Sequence, residues 1–516
     1  MPVDPNSAFA MLSPSDLGMN FEKFRPVQVE GFEWFMSSAS NVNPVLMQTG
    51  SGKTRFALAL SRLLGVKTAY LVVTKALEQQ VMKDARELGV ANVHGRANYR
   101  CRVYSNCDYG HEHDCSNSGS TNCPYTEAVE AARDSDLIVT NYSYWLNARR
   151  NQAALEHDGR PIEFLICDEA HSIESQLTSF ASVVLYPSEH RMKREMFEYQ
   201  SGLMNDDAAT GFVALAKETI NELKDSKLDD DKDLVDRCRR IARMSGSTNF
   251  VWQFTDRANL TFEPVRLNSY ARQLFSGVSR VLLMSASLDR FSLNLILPSD
   301  IEYDYRAFPS QFPPHNAPVY YHPVRKLSWK SPDEDYRAIF EVADNIIDRR
   351  LDRKGIIHTV SYARTRRILS HSRHANRFIW NEDGASLGSS LERFRTAGPG
   401  SVFVSPSVEE AFDFPADQCE YQILIKFPFP NETQRVIRER CKIPGYRLHY
   451  AAQKVVQIKG RPIRSETDRA ELFILDKSAA QLNSREAKAF LPPGFRMFTV
   501  ATIPPPPPRF KNSNAA

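Results

Sequence analysis

Pro44-Val-Leu-Met-Gln-Thr-Gly-Ser-Gly-Lys-Thr-Arg-Phe-Ala-Leu-Ala-Leu-Ser-Arg-Leu-Leu64 is the stretch that decides the fold. It joins a short β-like run to a glycine turn and then to a helical pattern of apolar residues, the context of a phosphate-binding loop. Gly50 and Gly52 allow a tight turn whose N–H groups face a β-phosphate, and the helix start adds its positive dipole end. Lys53 would reach the β- and γ-phosphates, and Thr54 would ligate Mg²⁺. The predicted phosphate site consists of Gln48, Thr49, Gly50, Ser51, Gly52, Lys53 and Thr54.

Apolar β-like runs alternate with helical patterns along most of the chain. The first set comprises residues 44–47, 68–74, 136–140, 164–167 and 281–284, and the second comprises 355–358, 401–404, 422–426 and 471–475. This rhythm predicts an α/β fold with two domains, each a parallel sheet flanked by helices. A proline-rich stretch near residues 309–318 is the expected linker.

Two segments interrupt the first domain. Residues 96–125 are rich in Cys, Asn, Ser and Gly and have almost no aliphatic side chains, so they cannot form an apolar core. Residues 186–245 are charged and carry no strand signal, which predicts a helical insertion. The last residues are five prolines and a polar stretch, which predicts a polyproline or disordered terminus.

The charge balance gives no overall attraction to polyanions. Lysine and arginine number 65, and aspartate and glutamate number 62, so the net charge is +3. Nucleic-acid binding would therefore need local basic patches. No apolar run reaches the ~18 residues that span a bilayer, and the N-terminus, with Asp4, lacks the basic start of a secretory signal. We expect a soluble, cytoplasmic protein without a membrane partner.

An acidic pair, Asp168-Glu169, follows the apolar run 164–167 and so leaves the carboxyl end of a predicted strand. Ligands of open α/β sheets bind at that edge. Asp168 would hold Mg²⁺ through water, and Glu169 would polarise the attacking water. Acidic pairs at strand ends are common. This pair indicates a nucleotide site because a phosphate loop precedes it in the same predicted sheet.

Residues 48–54 and Asp168-Glu-Ala-His171 together resemble the ATPase motifs of superfamily 2 helicases. Further motifs resemble the XPD/DinG branch, a family of iron–sulfur DNA helicases. They are Gly95-Arg-Ala-Asn-Tyr-Arg-Cys101, Cys123-Pro-Tyr125, Thr140-Asn-Tyr142, Ser285-Ala-Ser-Leu288 and Gln457-Ile-Lys-Gly-Arg-Pro-Ile-Arg464. The resemblance implies two RecA-like domains, with an iron–sulfur insertion and a short helical arch in the first. The implied boundaries are 1–95, 126–180 and 249–308 for the first domain, 96–125 for the iron–sulfur insertion, 181–248 for the arch, 309–500 for the second domain and 501–516 for a flexible tail.

The resemblance also implies roles for single residues outside the phosphate loop. Phe21, Arg25 and Gln28 resemble an adenine-side motif. Glu410 and Asp413 resemble a Glu-Gly-x-Asp motif in which alanine replaces the glycine, and Asp413 is implied in nucleotide binding. The serines of the 285–288 motif would couple hydrolysis to domain movement.

Arg461 and Arg464 lie three residues apart, on one face of a predicted helix. An arginine from a second domain can neutralise the charge of phosphoryl transfer only when the cleft is closed, which ties hydrolysis to movement. We predict catalytic roles for both, together with Gln457. The alternative is that the arginines simply cover a helix surface.

Four cysteines, Cys101, Cys107, Cys115 and Cys123, lie in the segment without a predicted core. They are more widely spaced than the Cys-x₂₋₄-Cys pairs of structural zinc sites, whereas an iron–sulfur cluster accepts wider spacing. His111 or His113 could replace a thiolate. Zinc or unligated thiols remain alternatives, and the family resemblance supplies most of the preference for a structural [4Fe–4S] cluster.

Residues 345–380 are strongly basic and contain interleaved aromatic rings, which suits a groove for a single strand. We predict nucleic-acid contacts for Arg364, Arg366 and Arg367, although a solvated helix face would have the same charge pattern. Further candidates are Tyr99, Asn141 and Tyr142, but the two tyrosines could equally be core aromatics.

The resemblance implies an ATP-dependent helicase that moves 5′ to 3′ on single-stranded or forked DNA, and we expect a monomer that acts in repair or replication. A first alternative is an ATP-driven translocase or remodeller that does not separate strands. A second is a non-catalytic nucleic-acid-binding module, against which the intact Lys53, Asp168, Glu169 and Arg461 argue.

Overall fold

A computed structural model describes the protein apart from residues 1–8, 10, 108–114, 118–121, 151–154, 157–159, 187–206, 227, 245–248, 256–258, 382–386, 407–413, 415–417 and 509–516. No helix in the described ranges has both the length and the apolar content needed to cross a bilayer.

The first domain is built on a seven-stranded sheet in which every pair of neighbours is parallel. Its strands are β1 Val42–Leu46, β2 Thr68–Val72, β3 Val90–Asn92, β4 Leu137–Asn141, β5 Phe164–Cys167, β9 Arg280–Ser285 and β10 Arg306–Ala307. They lie in the order β10-β1-β9-β5-β2-β4-β3. The carboxyl ends of β1 and β5, which precede the phosphate loop and the acidic pair, therefore meet at one edge, separated only by β9.

Helices cover both faces of this sheet. Successive strand residues point to opposite sides, so the apolar strands present side chains to the helices on each face. Tyr70 and Val72 pack among the helices α1 to α3, whereas Ala69 and Leu71 pack among the helices α4 to α6, α9 and α10. The bounds are α1 Pro26–Ser37, α2 Lys53–Leu64, α3 Lys75–Asp84, α4 Pro124–Asp134, α5 Tyr142–Arg150, α6 Ile173–Ala181, α9 Asn268–Phe275 and α10 Arg290–Ile296.

In its described residues, the insertion between α6 and α9 contains a small antiparallel sheet as well as two helices. Its elements are β6 Val183–Leu185, α7 Asp207–Leu223, α8 Asp229–Met244, β7 Phe250–Phe254 and β8 Leu260–Pro264, and its strands lie in the order β6-β8-β7. Phe212, Cys238, Trp252 and Phe262 form a separate core. The sequence placed residues beyond 248 in the first domain, but β7 and β8 pair with β6 and not with the large sheet. Alternate residues of β8 are buried against the two helices, which explains why these strands belong to the insertion.

The second domain has a parallel sheet of the same size. Its elements are β11 Val319–Arg325, α11 Asp333–Asp348, β12 Gly355–His358, α12 Tyr362–His371, β13 Phe378–Trp380, α13 Leu387–Thr396, β14 Val402–Ser405, β15 Tyr421–Leu424, α14 Arg435–Arg440, α15 Tyr446–Gly460, β16 Glu471–Asp476, α16 Arg485–Lys488 and β17 Met497–Thr499. The strand order is β13-β14-β12-β15-β16-β11-β17. The predicted α/β fold with two parallel sheets is thus confirmed.

The residues after β17 are held against the second domain as far as Pro508. The N–H of Val500 donates to the Tyr321 carbonyl at 2.9 Å, and Ile503 packs on the apolar core. Arg350 donates to the Pro504 carbonyl at 3.1 Å, and Arg353 donates to the Pro507 carbonyl at 2.6 Å. Proline lacks an N–H but keeps its carbonyl acceptor, so arginine side chains are suitable partners for this segment. The expectation of a flexible tail from residue 501 therefore does not describe residues 501–508.

Candidate nucleotide site and interdomain cleft

The phosphate loop lies between β1 and α2, as predicted. Gly50 and Gly52 have φ of +80° and +84°, the left-handed region that glycine adopts without strain. α2 begins at Lys53, whose side chain is largely buried in the cleft. A Cβ on Gly52 would lie 2.6 Å from Nε2 of Gln28, so the end of that side chain would have to move to admit it. The backbone therefore has the turn and helix start that a triphosphate requires.

Arg25 and Gln28 hold this loop from the start of α1. Gln28 Nε2 donates to the Gly52 carbonyl at 2.9 Å, and Arg25 donates to the Gly50 carbonyl. The N–H of Arg25 in turn donates to Gln28 Oε1 at 2.8 Å. Both residues therefore lie beside the phosphate loop and support its backbone, while their implied place on the adenine side stays a prediction. Glu410 and Asp413 lie outside the described residues.

Asp168 and Glu169 follow β5 directly and lie at the same sheet edge. Tyr70 donates its hydroxyl to Asp168 Oδ2 at 2.9 Å. Burial and the neighbouring Glu169 raise the pKa of Asp168 to about 6. Burial also acts to raise the pKa of Glu169, but a hydrogen bond from His171 and the charges of Lys53 and Arg461 outweigh it and lower that pKa. Two adjacent carboxyls with pKa values pushed apart are typical of a catalytic site.

His171 joins the acidic pair to the end of β9. Its Nδ1 lies 3.2 Å from Glu169 Oε2 and 2.8 Å from Ser285 Oγ. Glu169 has a φ of +47°, an unusual backbone conformation for a residue with a side chain. Strain of this kind persists where the surroundings hold a functional side chain in place. The predicted Ser285 and the acidic motif are thus in direct contact.

The end of α15 in the second domain closes over the phosphate loop. A Cβ on Gly460 would lie 3.1 Å from Thr49 Oγ1, and one on Gly50 would lie 3.0 Å from the Cα of Arg464. Arg461 is close enough to Glu169 to contribute to its lowered pKa. The cleft therefore brings residues of both predicted domains together at one point.

The three predicted residues of α15 and its end have different surroundings. The charge of Arg461 acts on Glu169 and helps to lower its pKa, while the catalytic role of Arg461 stays a prediction. Gln457 Nε2 lies 3.5 Å from Ser287 Oγ, across the cleft. α15 ends at Gly460, so Arg461 and Arg464 follow the helix and the prediction that both lie on one helix face was wrong. Arg464 Nη1 donates to the carbonyls of Gly460 and Ile463, at 2.9 and 3.0 Å, and so caps the end of α15. Among the described contacts, those of the Arg464 side chain support its own segment, while the charge of Arg461 acts across the cleft on Glu169.

The four cysteines form two neighbouring pairs. Sγ of Cys101 lies 3.8 Å from Sγ of Cys115, and burial together with Cys123 raises the pKa of the Cys107 thiol to about 11. The N–H of Val103 faces the Cys101 sulfur at 3.5 Å. No group of three or more Cys, His, Asp or Glu side chains with metal-site geometry occurs within the described part of the chain. His111 and His113 lie outside that part.

The first-domain candidates for nucleic-acid contact are mostly occupied by internal contacts. Tyr142 is 1% exposed and its hydroxyl donates to the Asp168 carbonyl at 2.7 Å, so its prediction as a nucleic-acid contact was wrong. Asn141 Oδ1 accepts the N–H of Tyr144 at 2.8 Å at the start of α5. The Tyr99 hydroxyl accepts the N–H of His94 at 3.0 Å, and its ring packs on another tyrosine. Asn141 and Tyr99 remain partly exposed.

The basic segment 345–380 does not form one continuous surface. Arg350 is fully buried and makes two hydrogen bonds to Glu471, at 2.7 and 2.8 Å, so it is a core residue. Arg367 lies over the Tyr336 ring at 4.2 Å. Arg364 lines a cleft, and its Nη1 donates to Ser361 Oγ at 3.0 Å. The high charge of this segment therefore includes internal structural arginines.

That cleft, which we call the domain 2 cleft, was missed by sequence reasoning. It has a volume of about 1080 Å³ and lies at the carboxyl ends of β11, β12, β15 and β16. Its lining includes Trp329, which is 84% exposed, and Phe429. The basic side chains of its lining outnumber the acidic Glu432 and Glu486; they are Lys326, Arg364, Lys426, Arg438 and Arg447. Rings beside cations are the elements of a single-strand site, but here four separate strand ends supply them.

Two family models match this chain. One, for a helicase C-terminal domain, matches residues 349–492, and the other, described as the type III restriction enzyme res subunit, matches residues 22–198. The chain belongs to the superfamily 2 helicases. This helicase is therefore an ATP-dependent enzyme that binds nucleic acid, and each matched region contains one of the two parallel sheets or most of it.

Solved XPD structures have the fold of this helicase. The structure of S. tokodaii Xpd4 is 14% identical with a TM-score of 0.61, and the match covers 92% of this chain and 100% of that one. A structure titled XPD_Helicase is 15% identical with a TM-score of 0.61, covering 93% and 100%. One titled XPD_APO is 14% identical with a TM-score of 0.59, covering 92% and 100%. The likeness in fold extends over nearly the whole helicase.

Proposed function

We propose that this helicase hydrolyses ATP in the cleft between its two sheets and uses the resulting domain movement to travel 5′ to 3′ on single-stranded DNA. The observation that carries the hydrolysis step of the proposal is that Arg461, which belongs to the second domain, is near enough to Glu169 of the first for its charge to help lower the pKa of that carboxyl. A nucleotide bound at Lys53 would then have contacts from both domains.

The residues at the cleft have complementary chemical roles in this proposal. Lys53 and the loop N–H groups bind the triphosphate, and Thr54 and Asp168 would hold Mg²⁺, which neutralises phosphate charge when bound. Glu169, held charged and oriented by His171, accepts a proton from or polarises the attacking water. Arg461 stabilises the charge that develops on the transferred phosphoryl group.

The nucleotide site is tested by replacing Lys53 with alanine. We expect the variant to lose nucleic-acid-stimulated phosphate release while it keeps its circular dichroism spectrum and melting temperature. Lys83→Ala, at an exposed position on α3, is the matched control and should hydrolyse ATP like the unmodified helicase. Continued hydrolysis by Lys53→Ala would contradict the assignment.

Direction and strand separation need a second measurement, on duplexes with either a 5′ or a 3′ single-stranded tail. The proposal expects displacement only from the 5′-tailed substrate, with DNA preferred to RNA. Displacement from the 3′ tail would refute the polarity. ATP hydrolysis without any displacement would instead favour the translocase alternative, and the absence of hydrolysis would favour the binding module.

The cysteine segment is part of the proposal as the site of a [4Fe–4S] cluster. Four thiols in a segment without an apolar core, two of them 3.8 Å apart and one facing a backbone N–H, are a donor set that suits such a group. Cys101, Cys107, Cys115 and Cys123 would hold it, and a bound cluster would tie the segment together.

Anaerobically purified protein should then be brown and contain iron and sulfide in equal amounts. Cys107→Ser should lose both, whereas Cys441→Ser, outside the segment, should retain them. A colourless protein that contains zinc would contradict the cluster while leaving the ATPase assignment intact.

A further inference from the structure

A row of polar side chains on α15 faces the loop after β9 across the interdomain cleft. On α15 the row consists of His449, Gln453 and Gln457, whose spacing of four residues places them on one helix face. We call this row and the side chains that it meets in the first domain the closure seam. Those partners are Ser287, Asp289 and Ser292.

Asp289 is the centre of the closure seam. His449 Nε2 lies 3.2 Å from Asp289 Oδ1, and Gln453 Nε2 donates to Asp289 Oδ2 at 2.9 Å. Within the first domain, the N–H of Ser292 donates to the same carboxyl at 2.7 Å. Asp289, His449 and Gln453 are all buried. This carboxyl is thus bonded from both domains at once.

Burial of a carboxylate is costly unless hydrogen bonds and opposite charge compensate for it. Two of the groups that compensate Asp289, His449 and Gln453, lie on the second domain. Separation of the domains would remove both, while Ser292 would stay. The free energy of the closure seam therefore depends on whether the cleft is closed.

The end of β9, which this loop follows, contacts the acidic motif. The N–H of Ser287 donates to Ser285 Oγ at 3.2 Å, and Ser285 Oγ lies 2.8 Å from His171 Nδ1. His171 in turn lies 3.2 Å from Glu169. A continuous series of polar contacts thus joins α15 to the carboxylate proposed to activate water.

We propose that Asp289, His449 and Gln453 are positioning residues that couple domain closure to the acidic pair, by fixing the end of β9 with Ser285 and the loop after it with Ser287. The proposal rests on the proposed ATPase function of the cleft. It predicts that loss of the seam lowers the turnover of bound ATP more than it weakens ATP binding, because no seam residue belongs to the phosphate loop.

The test is a double-mutant cycle of Asp289→Ala and Gln453→Ala, measured as DNA-stimulated ATP hydrolysis. We expect each single variant to lower kcat by about tenfold, within the range of about 5- to 150-fold for coupled sites, while KM for ATP changes less than about threefold. The double variant should resemble the single variants, because both substitutions remove one interaction. Asp289→Asn, which retains an acceptor for Gln453, should restore part of kcat.

Asp300→Ala is the matched control, because Asp300 is an exposed carboxyl bonded to Arg272 within the same domain. Thermal melting verifies that each variant is folded, and His449→Ala replaces Asp289→Ala in the cycle if the latter is not. Unchanged kcat, or losses that multiply in the double variant, would overturn the seam. Absence of hydrolysis in the unmodified helicase would instead overturn the proposed function.

Discussion

At the scale of single residues, His358 shows how burial changes a titration. It ends β12, is 1% exposed, and its Nε2 lies 3.0 Å from Gln422 Oε1. Burial lowers its pKa to about 4, and the charge of Arg461 acts in the same direction. The imidazole is therefore neutral in the folded protein at neutral pH and can donate its Nε2 hydrogen to the amide oxygen.

His358 should make the folded state sensitive to acid. Its pKa is lower when folded than the unfolded value of about 6.5, so protons bind preferentially to the unfolded chain. The neutral His358 contributes its full share of the unfolding free energy above pH ~6.5, and this share is lost as the pH falls toward ~4. The unfolding free energy decreases by up to about 1.4 kcal/mol per pH unit in that range. His358→Gln should reduce the fall in unfolding free energy between pH 7 and 5, measured with urea.

The control for this pH experiment is His315→Gln, at an exposed position. It should leave the slope of unfolding free energy against pH as it is in the unmodified helicase. Equal slopes for His358→Gln and the unmodified helicase would contradict the expectation.

Residues within one contiguous motif could be predicted, and those paired across the chain could not. Lys53, Asp168, Glu169 and Arg461 were identified because each lies in a short pattern tied to phosphate chemistry. Asp289 has no such pattern, since its partner Gln453 is 164 positions away and only the fold brings the two together. The burial of Tyr142 likewise depends on tertiary packing.

At the scale of elements, α14 attaches the second domain to the insertion and to α6. Arg440 is buried and donates to Glu174 Oε1 at 2.9 Å, to Thr178 Oγ1 at 2.8 Å and to the Pro264 carbonyl at 2.9 Å. Tyr446 donates to the same Glu174 oxygen at 2.6 Å. Glu174 lies in the first turn of α6, which directly follows the acidic motif.

Replacement of Arg440 should destabilise the protein strongly. Arg440→Met keeps the apolar stem but leaves Glu174 and the Pro264 carbonyl short of a donor, for which breaking a buried pair suggests a loss of about 3–5 kcal/mol. Arg438→Met, two residues earlier and exposed, should cost less than about 1 kcal/mol. Chemical unfolding followed by fluorescence measures both, and similar losses for the two variants would contradict the role of Arg440.

Elements of the large sheets were easier to predict than those of the insertion. Parallel strands are buried on both faces and appear as apolar runs, which the sequence displays clearly. The strands β7 and β8 have five residues each, like several strands of the large sheet, and β7 is mostly apolar, so the sequence alone did not separate them from the first domain. Their pairing with β6, across two intervening helices, is a tertiary feature.

At the scale of the whole molecule, the nucleic-acid path should include the domain 2 cleft. Trp329 is 84% exposed at its rim, and Lys426 and Arg447 line it. Stacking of one base on an aromatic ring contributes about 1–3 kcal/mol. Trp329→Ala should therefore weaken binding of an oligothymidine by about tenfold at fixed salt, measured by fluorescence anisotropy.

Phe498→Ala is the control for Trp329, because Phe498 is a 48% exposed aromatic residue on the edge strand β17. Its affinity for the oligothymidine should equal that of the unmodified helicase. Equal affinities for all three proteins would remove Trp329 from the nucleic-acid path.

The attachment of α14 has a mechanical consequence for the insertion. Covalent connections tie the insertion to the first domain at β6 and after β8, while Arg435 donates from the second domain to the Trp252 carbonyl at 3.2 Å. A hinge motion that separates the two domains must therefore either break these hydrogen bonds or move the insertion together with the second domain. Each catalytic cycle would then bend the covalent connections between the insertion and the first domain. The stiffness of these connections would limit how far the two domains separate.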